Sequence, residues 1–152
     1  MEGCLACDLA DGRVELPGGV IDETEHWLVE HCVGPLGVGT MIVKPKRHVV
    51  HVWQLTDEEA GEVGPLLRRV SAAVAALVEP EQVYVCLWSH ADAEPGHVHF
   101  VVQPATRAQM DHFDAHGLRL QLAMFDRGEP PPRADVEKLA GQARALLGEN
   151  RV

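Results

Sequence analysis

Residues 96–104 read Gly96-His97-Val98-His99-Phe100-Val101-Val102-Gln103-Pro104. Histidines that alternate with apolar residues are typical of a β-strand, in which side chains two positions apart share a face. His97 and His99 are therefore expected to point the same way, roughly 6–7 Å apart. Val98, Phe100 and Val102 are expected on the buried face. Two imidazoles held on rigid backbone suit metal binding or phosphate chemistry.

The length and net charge of the chain limit its number of domains and the partners that we expect it to bind. The chain has 152 residues, and we expect residues 1–152 to form one domain, because a chain of this size buries about 70% of its unfolded surface. The net charge of −10 argues against a nucleic-acid backbone or an anionic membrane as the main partner. A small anionic ligand stays possible where positive groups are concentrated locally.

The N-terminal residues and the hydropathy of the chain predict a cytoplasmic protein. Met1-Glu2-Gly3-Cys4 has neither a basic region nor an apolar run, and no stretch approaches about 18 uncharged apolar residues. Cysteines in the cytoplasm stay reduced. The Cys-x-x-Cys spacing of Cys4 and Cys7 then suggests a metal site or a redox pair before a structural disulfide.

Hairpin-like strands and separate helices predict an α+β fold around an antiparallel sheet. Capping boxes at Thr56–Glu59 and Thr106–Gln109 each predict the start of a helix, Pro65 is expected to bend the first of these, and Gly117 to interrupt the second. The expected strands cover residues 20–22, 27–33, 40–44, 82–89 and 97–103, and a last helix carries Val136, Leu139, Ala140, Ala143, Leu146 and Leu147 on one face.

Two cysteines and a distant histidine supply candidate ligands for zinc. Cys4 and Cys7 can share one tetrahedral Zn²⁺, and two thiolates plus two imidazoles complete a structural site. His48 follows Pro45, which ends a strand, so His48 lies at a fixed place beyond a sheet edge. The alternatives are that both cysteines are incidental buried thiols and that His48 is a surface side chain. A thioredoxin-like role is disfavoured because no strand precedes the motif.

Three motifs, taken together and in order, resemble the histidine triad (HIT) family of nucleotide hydrolases and transferases. The family motif is His-φ-His-φ-His-φ-φ, with φ apolar, and it corresponds to residues 97–103 here. Cys4-x-x-Cys7 and Pro45-Lys46-Arg47-His48 match two segments of many bacterial members. The resemblance covers residues 4–104, a motif-bearing core, and leaves residues 105–152 as a helical C-terminal part.

The resemblance implies a role for several residues. Cys4, Cys7, His48 and His97 are similar to the structural zinc ligands of the bacterial members, and His99 occupies the position of the nucleophile. A nucleotide or nucleotide conjugate would form a covalent nucleotidyl-His99 intermediate that water hydrolyses. The family also implies a five-stranded antiparallel sheet with flanking helices and a homodimer. Nucleic acid and membrane are not among the expected partners.

The sequence departs from the family motif at the third histidine, where Val101 stands. Residues 92–96 replace the Gly-Gln-Ser stretch that contacts phosphate, and Cys32 aligns with a ribose-binding aspartate. Ser89 and His90 end the strand expected beside the His97 strand, so they are candidate substrate-binding residues. These departures motivate a second hypothesis, a zinc-stabilised nucleotide-binding module without activity. A third hypothesis places a catalytic metal at His97 and His99.

Overall fold

The computed structural model describes residues 3–89 and 96–149. Five strands form one antiparallel sheet in the order β1-β2-β3-β5-β4. They are β1 (Val20–Glu23), β2 (Trp27–His31), β3 (Met41–Pro45), β4 (Gln82–Trp88) and β5 (His99–Ala105). The helices are α1 (Leu5–Ala10), α2 (Asp57–Val78), α3 (Arg107–Phe113), α4 (Leu118–Arg127) and α5 (Arg133–Glu149), with a short 3₁₀ helix at Val52–Gln54. The predicted α+β architecture with a five-stranded antiparallel sheet is confirmed.

Helices α2 and α5 pack on one face of the sheet and form the larger part of the core. Apolar residues alternate along the strands, so every second side chain faces these helices. Trp27, Val43 and Val102 from the strands meet Val74 and Ala140 from the helices, and all five are almost fully buried. Burial of this apolar surface positions the central strands.

The opposite face of the sheet carries a smaller cluster and leaves room for a cavity. Val101 and Cys32 pack there against Leu120 and Met124 of α4. Because β2, β3 and β5 are adjacent, Glu30 pairs with Ile42 and Ile42 pairs with Val101 across this face. Side chains in those rows project away from α2 and α5, toward α1 and α4.

Helix boundaries follow the local chemistry expected from the sequence. Thr56 and Glu59 form the predicted capping box, and α2 continues through Pro65 to Val78. Thr106 and Gln109 form the second box. Gly117, with φ of +58°, separates α3 from α4, as its freedom from a Cβ allows.

The strand that carries the two histidines begins later than the sequence suggested. β5 starts at His99, not at His97, because residues 97 and 98 bond elsewhere. The amide of His97 donates to the Ser89 carbonyl, and the amide of Val98 donates to the Val49 carbonyl. β2 likewise ends at His31 rather than at residue 33. No helix in the described ranges is long and apolar enough to cross a membrane.

Candidate active site and metal centre

Four predicted ligands converge where the N-terminus of α1 meets the end of β3 and the start of β5. Ligand atoms of Cys4, Cys7, His48 and His97 all lie within 4.8 Å of one another. Nδ1 of His97 is 3.5 Å from Sγ of Cys4 and 3.6 Å from Sγ of Cys7. Nδ1 of His48 is 3.4 Å from Sγ of Cys7. The four residues come from three distant parts of the chain.

The donor atoms of this cluster have the spacing of a tetrahedral zinc site. Zn–S bonds of about 2.3 Å and Zn–N bonds of about 2.1 Å hold sulfur and nitrogen ligands about 3.6 Å apart. The observed separations of 3.4–3.6 Å agree with that edge length. Two sulfurs and two nitrogens are a set that zinc accepts, so the residues present fit the ion.

Hydrogen bonding fixes the lone pair of His97 toward the cysteines. Nε2 of His97 lies 3.1 Å from the Pro45 carbonyl, which can only accept, so Nε2 carries the proton. Nδ1 therefore faces Cys4 and Cys7 as an unprotonated nitrogen. Backbone carbonyls orient metal-binding histidines in the same way in known sites.

Electrostatics keep the imidazoles of the cluster neutral. Burial lowers the pKa of His97 to about 4 and lowers the pKa of His48 as well. Burial and the adjacent Cys4 raise the pKa of Cys7, since two thiolates side by side repel each other. A bound cation favours thiolates, and neutral imidazoles are ready ligands. Nε2 of His48 is buried without a hydrogen-bond partner among the described atoms.

His99 stands next to the metal cluster and lines a cavity whose wall also includes Cys4 and His97. Its Nδ1 lies 2.8 Å from the carbonyl oxygen of His97, so Nδ1 is the protonated nitrogen and Nε2 retains its lone pair. Burial lowers the pKa of His99 and favours the neutral ring. The expectation that His97 and His99 share one side is confirmed, since both line the cavity, while Val98 and Val102 are fully buried.

The cavity has a volume of about 230 Å³. It lies between the sheet and helices α1 and α4, and its walls are mainly apolar. Ser89, a candidate substrate-binding residue in the sequence analysis, and Val101 line it with His99. His90 lies outside the described residues, as do residues 92–95 of the expected phosphate segment.

A buried ion pair in the same cavity was missed by sequence analysis. Nζ of Lys44 is 2.7 Å from Oε1 of Glu30, and both side chains are at most 3% exposed. Burial raises the pKa of Glu30, and Lys44 opposes that rise. The signal was available, because a charged residue interrupts each of the apolar strands Trp27–His31 and Met41–Pro45. Gln121 and Phe125 of α4 also line the cavity, so the C-terminal part contributes a wall.

Solved structures of the same fold include histidine triad proteins. A hypothetical histidine triad nucleotide-binding protein from Sulfolobus tokodaii has a TM-score of 0.72 at 17% identity, over 96% of this chain and 93% of that one. A Zn-bound histidine triad family protein from Mycobacterium smegmatis has a TM-score of 0.70 at 18% identity, over 96% and 94%. These likenesses establish the fold.

Sequence comparison adds two curated relatives. The protein hit of Bacillus subtilis is 28% identical over 79 residues, which is 52% of this chain and 53% of that protein. The chain thus spans about half the length of this relative. The chain is similar in fold to proteins of the histidine triad family. The second relative, adenosine 5′-monophosphoramidase hnt1 of Schizosaccharomyces pombe, is 28% identical over 103 residues, which is 66% of this chain and 73% of that protein. No protein-family profile matches the sequence.

Proposed function

We propose that this protein is a nucleotide phosphohydrolase or nucleotidyl transferase that forms a covalent nucleotidyl-His99 intermediate. The observation that carries the proposal is the orientation of His99 on the cavity wall. Its Nδ1 is engaged by the His97 carbonyl, which leaves Nε2 as the nitrogen with a free lone pair. A neutral imidazole is a good nucleophile near pH 7, and a covalent intermediate divides one difficult displacement into two easier ones.

The reaction balances without a further reactant besides water. Nε2 of His99 attacks the α-phosphorus, a P–N bond to histidine forms, and the bond to the leaving group breaks. The leaving group keeps the electron pair and takes a proton from solvent. Water then attacks the same phosphorus and releases a proton to solvent, the P–N bond breaks, and its electron pair returns to Nε2. The product is a nucleoside monophosphate, or a new conjugate where another acceptor replaces water.

Zinc is proposed as a structural ion held by Cys4, Cys7, His48 and His97. Four protein ligands fill a tetrahedral sphere, so the ion would cross-link the chain without an open position for substrate. The sulfur–nitrogen spacing of the cluster and the Zn-bound relative support this assignment. His97 would then serve the metal, which leaves the chemistry to His99.

Candidate substrates are nucleoside phosphoramidates, adenylated small molecules and dinucleoside polyphosphates. The phosphoramidase activity named for the fission-yeast relative supports the first of these. Ser89 is proposed as a substrate contact because it lines the cavity beside His99. The candidate role of His90, homodimer formation and a cytoplasmic location stay predictions.

Replacement of the nucleophile tests the proposal. We expect His99→Ala to lower turnover of an adenosine phosphoramidate by more than about 10³-fold, because no other side chain replaces the attacking nitrogen. Its zinc content, measured by elemental analysis, should match that of the parent protein. His116→Ala removes an exposed histidine outside the cavity and serves as the control. Equal turnover by His99→Ala and the parent would exclude the covalent mechanism.

The second candidate function is a nucleotide-binding module without activity. Val101 favours it, because this side chain lines the cavity beside His99 at 3% exposure and can neither donate to a phosphate oxygen nor carry a proton. Nucleotide binding without turnover of any candidate substrate would support the module. Covalent labelling of His99 by a nucleotide would rule it out.

A further inference from the structure

The buried ion pair of Glu30 and Lys44 lies in the cavity wall and has no part in the proposed reaction. Nζ of Lys44 donates to Oε1 of Glu30 at 2.7 Å and to the carbonyl oxygen of Ala6 at 2.8 Å. The side chains of Lys44 and Glu30 are only 1% and 3% exposed. A buried ion pair is no more stabilising than a well-packed apolar pair of similar volume. Packing alone therefore does not account for two charges in the wall of a mainly apolar cavity.

The sheet places Lys44 beside His99. Val43 pairs with Phe100 on the neighbouring strand, so the same register, continued by one residue, sets Lys44 opposite His99. Val43 and Phe100 pack in the core against α2 and α5, and Lys44 and His99 therefore project from the other face, where both line the cavity. Neighbouring strands are about 5 Å apart. At such a distance a charge acts on a phosphate at His99 through its field, without a direct contact.

Glu30 offsets the full positive charge that the cavity wall carries. Among the described residues that line the cavity, Lys44 is the only lysine or arginine and Glu30 is the only carboxylate. Residues 90–95, outside the described ranges, contain no lysine or arginine, and the whole chain has a net charge of −10. The wall consequently offers a highly charged anion no uncompensated lysine or arginine within the described part of the chain.

A polyphosphate brings additional negative charge to this place. Its β-phosphate is joined through one oxygen to the phosphate at His99, so it lies at the cavity in either orientation of the nucleotide. Moving a charge out of water is unfavourable unless an opposite charge pairs with it. A substrate with a single phosphate avoids this cost.

We propose that Glu30 is a specificity-determining residue, which restricts the cavity to substrates with a single phosphate because it neutralises Lys44. The inference rests on the proposed function, since that function assigns the phosphate to His99. It favours phosphoramidates and adenylated small molecules over dinucleoside polyphosphates. Glu30 acts through the charge of Lys44 and needs no contact with the ligand.

Three nucleotides that differ in their number of phosphates test this selection on the native protein. They are adenosine 5′-monophosphate and the α,β-methylene analogues of adenosine 5′-diphosphate and 5′-triphosphate, whose bridge resists displacement at the α-phosphorus. Binding is measured by calorimetry without added divalent cations. We expect the triphosphate analogue to bind at least about 10-fold more weakly than the monophosphate, because its added charges lack a partner.

The outcomes separate this inference from the proposed function. If the triphosphate analogue binds as tightly as the monophosphate or more tightly, the inference is wrong and the nucleotide site stays in place. If none of the three nucleotides binds, the proposed nucleotide site is wrong, and the inference is wrong with it. Because this comparison uses the unaltered chain, it does not depend on a variant that folds.

Glu30→Gln distinguishes an effect of charge from an effect of structure. Glutamine has nearly the same shape and keeps an oxygen for Lys44, but it leaves the lysine charge uncompensated. The ratio of triphosphate to monophosphate affinity should then rise by at least about 10-fold. A purely structural role of Glu30 would change both affinities alike and leave their ratio unaltered. A folded Glu30→Gln protein with the native ratio therefore contradicts the proposal.

Two further variants control for the charge itself. Glu30→Gln combined with Lys44→Met makes the wall neutral again and should return the ratio to its native value. Glu62→Gln also removes one negative charge from the chain, but at a carboxylate that contacts His26 outside the cavity, and it should leave the ratio unchanged. An equal rise of the ratio in Glu62→Gln would assign the effect to net charge and overturn the role of Glu30.

Discussion

The carbonyl oxygen of His97 accepts a hydrogen bond from Nδ1 of His99 at 2.8 Å. The backbone of one proposed metal ligand thus orients the ring of the proposed nucleophile. The side chain of His97 is itself held by the Pro45 carbonyl at 3.1 Å. Position and protonation of His99 are therefore tied to the local structure around the metal cluster.

The pH dependence of the reaction should follow the state of His99. Burial lowers the pKa of His99 from its usual value near 6.5, and only the neutral ring can attack phosphorus. Activity should consequently persist below pH 6.5 and fall only as the pH drops through the lowered pKa. A profile of kcat/KM against pH measures the acidic limb. An acidic limb at or above pH 6.5 would contradict this assignment.

Loss of one cysteine ligand should affect both metal content and activity. We expect Cys4→Ser to reduce bound zinc from one ion per chain to background, since three ligands remain. The His97 segment then loses its anchor, and misplacement of His99 by about 1 Å can cost about 10²-fold in kcat/KM. Elemental analysis and steady-state kinetics measure the two effects.

Cys86→Ser provides the matched control for that experiment. Cys86 lies on β4 and contacts Gln121 and the Val101 carbonyl, outside the metal cluster. Its zinc content and kcat/KM should equal those of the parent. If the Cys4→Ser protein keeps its zinc, the proposed cluster is not the zinc site.

A histidine introduced at position 101 should increase activity. Val101 lines the cavity two positions after His99, on the same side of β5, so an imidazole there can donate to a phosphate oxygen or to the leaving group. A donor of this kind is worth about 10²- to 10³-fold in rate. We expect Val101→His to raise kcat/KM for an adenosine phosphoramidate toward that range.

Val101→Leu separates the chemistry of the substitution from its size. It enlarges an apolar side chain at the same place and should not raise the rate. If both variants accelerate the reaction alike, the gain comes from packing. The proposal that Val101 lowers activity because it lacks a hydrogen-bond donor would then be wrong.

The sequence predicted the parts of the fold that depend on local signals. Side-chain capping at Thr56 and Thr106, and the break at Gly117, involve residues within a few positions of one another, so the pattern alone reveals them. The four-residue metal cluster was predicted because its residue types are rare and their spacing resembles a known family. The four side chains lie together in the structure, and zinc binding by them stays a prediction.

Tertiary contacts account for what the sequence did not reveal. β5 begins at His99 because the amide of Val98 bonds to Val49, a partner 49 positions away that no local pattern indicates. Lys44 and Glu30 meet only because β2 and β3 pair in one register, although each appeared alone as a charge within an apolar run. Gln121 reaches the cavity through the packing of α4 on the sheet.

The metal cluster also connects segments that are remote along the chain. Cys7 and His97 are 90 positions apart, and Cys7 and His48 are 41 apart. An ion bound there would cross-link the chain. Closing the loop between Cys7 and His97 lowers the entropy of the unfolded chain, and this stabilises the folded state by about 4–5 kcal/mol. Stability would then rise with the free metal concentration by mass action.

Metal depletion would act first on one wall of the cavity. Helix α1 supplies Leu5, Ala6 and Leu9 to that wall, and its start is held by Cys4 and Cys7. Loss of the ion would free α1. The Ala6 carbonyl, which accepts a hydrogen bond from Nζ of Lys44, would move with that helix. None of the four cluster residues belongs to the core in which the sheet packs against α2 and α5. We therefore expect metal depletion to change access to the ligand cavity before it unfolds the protein.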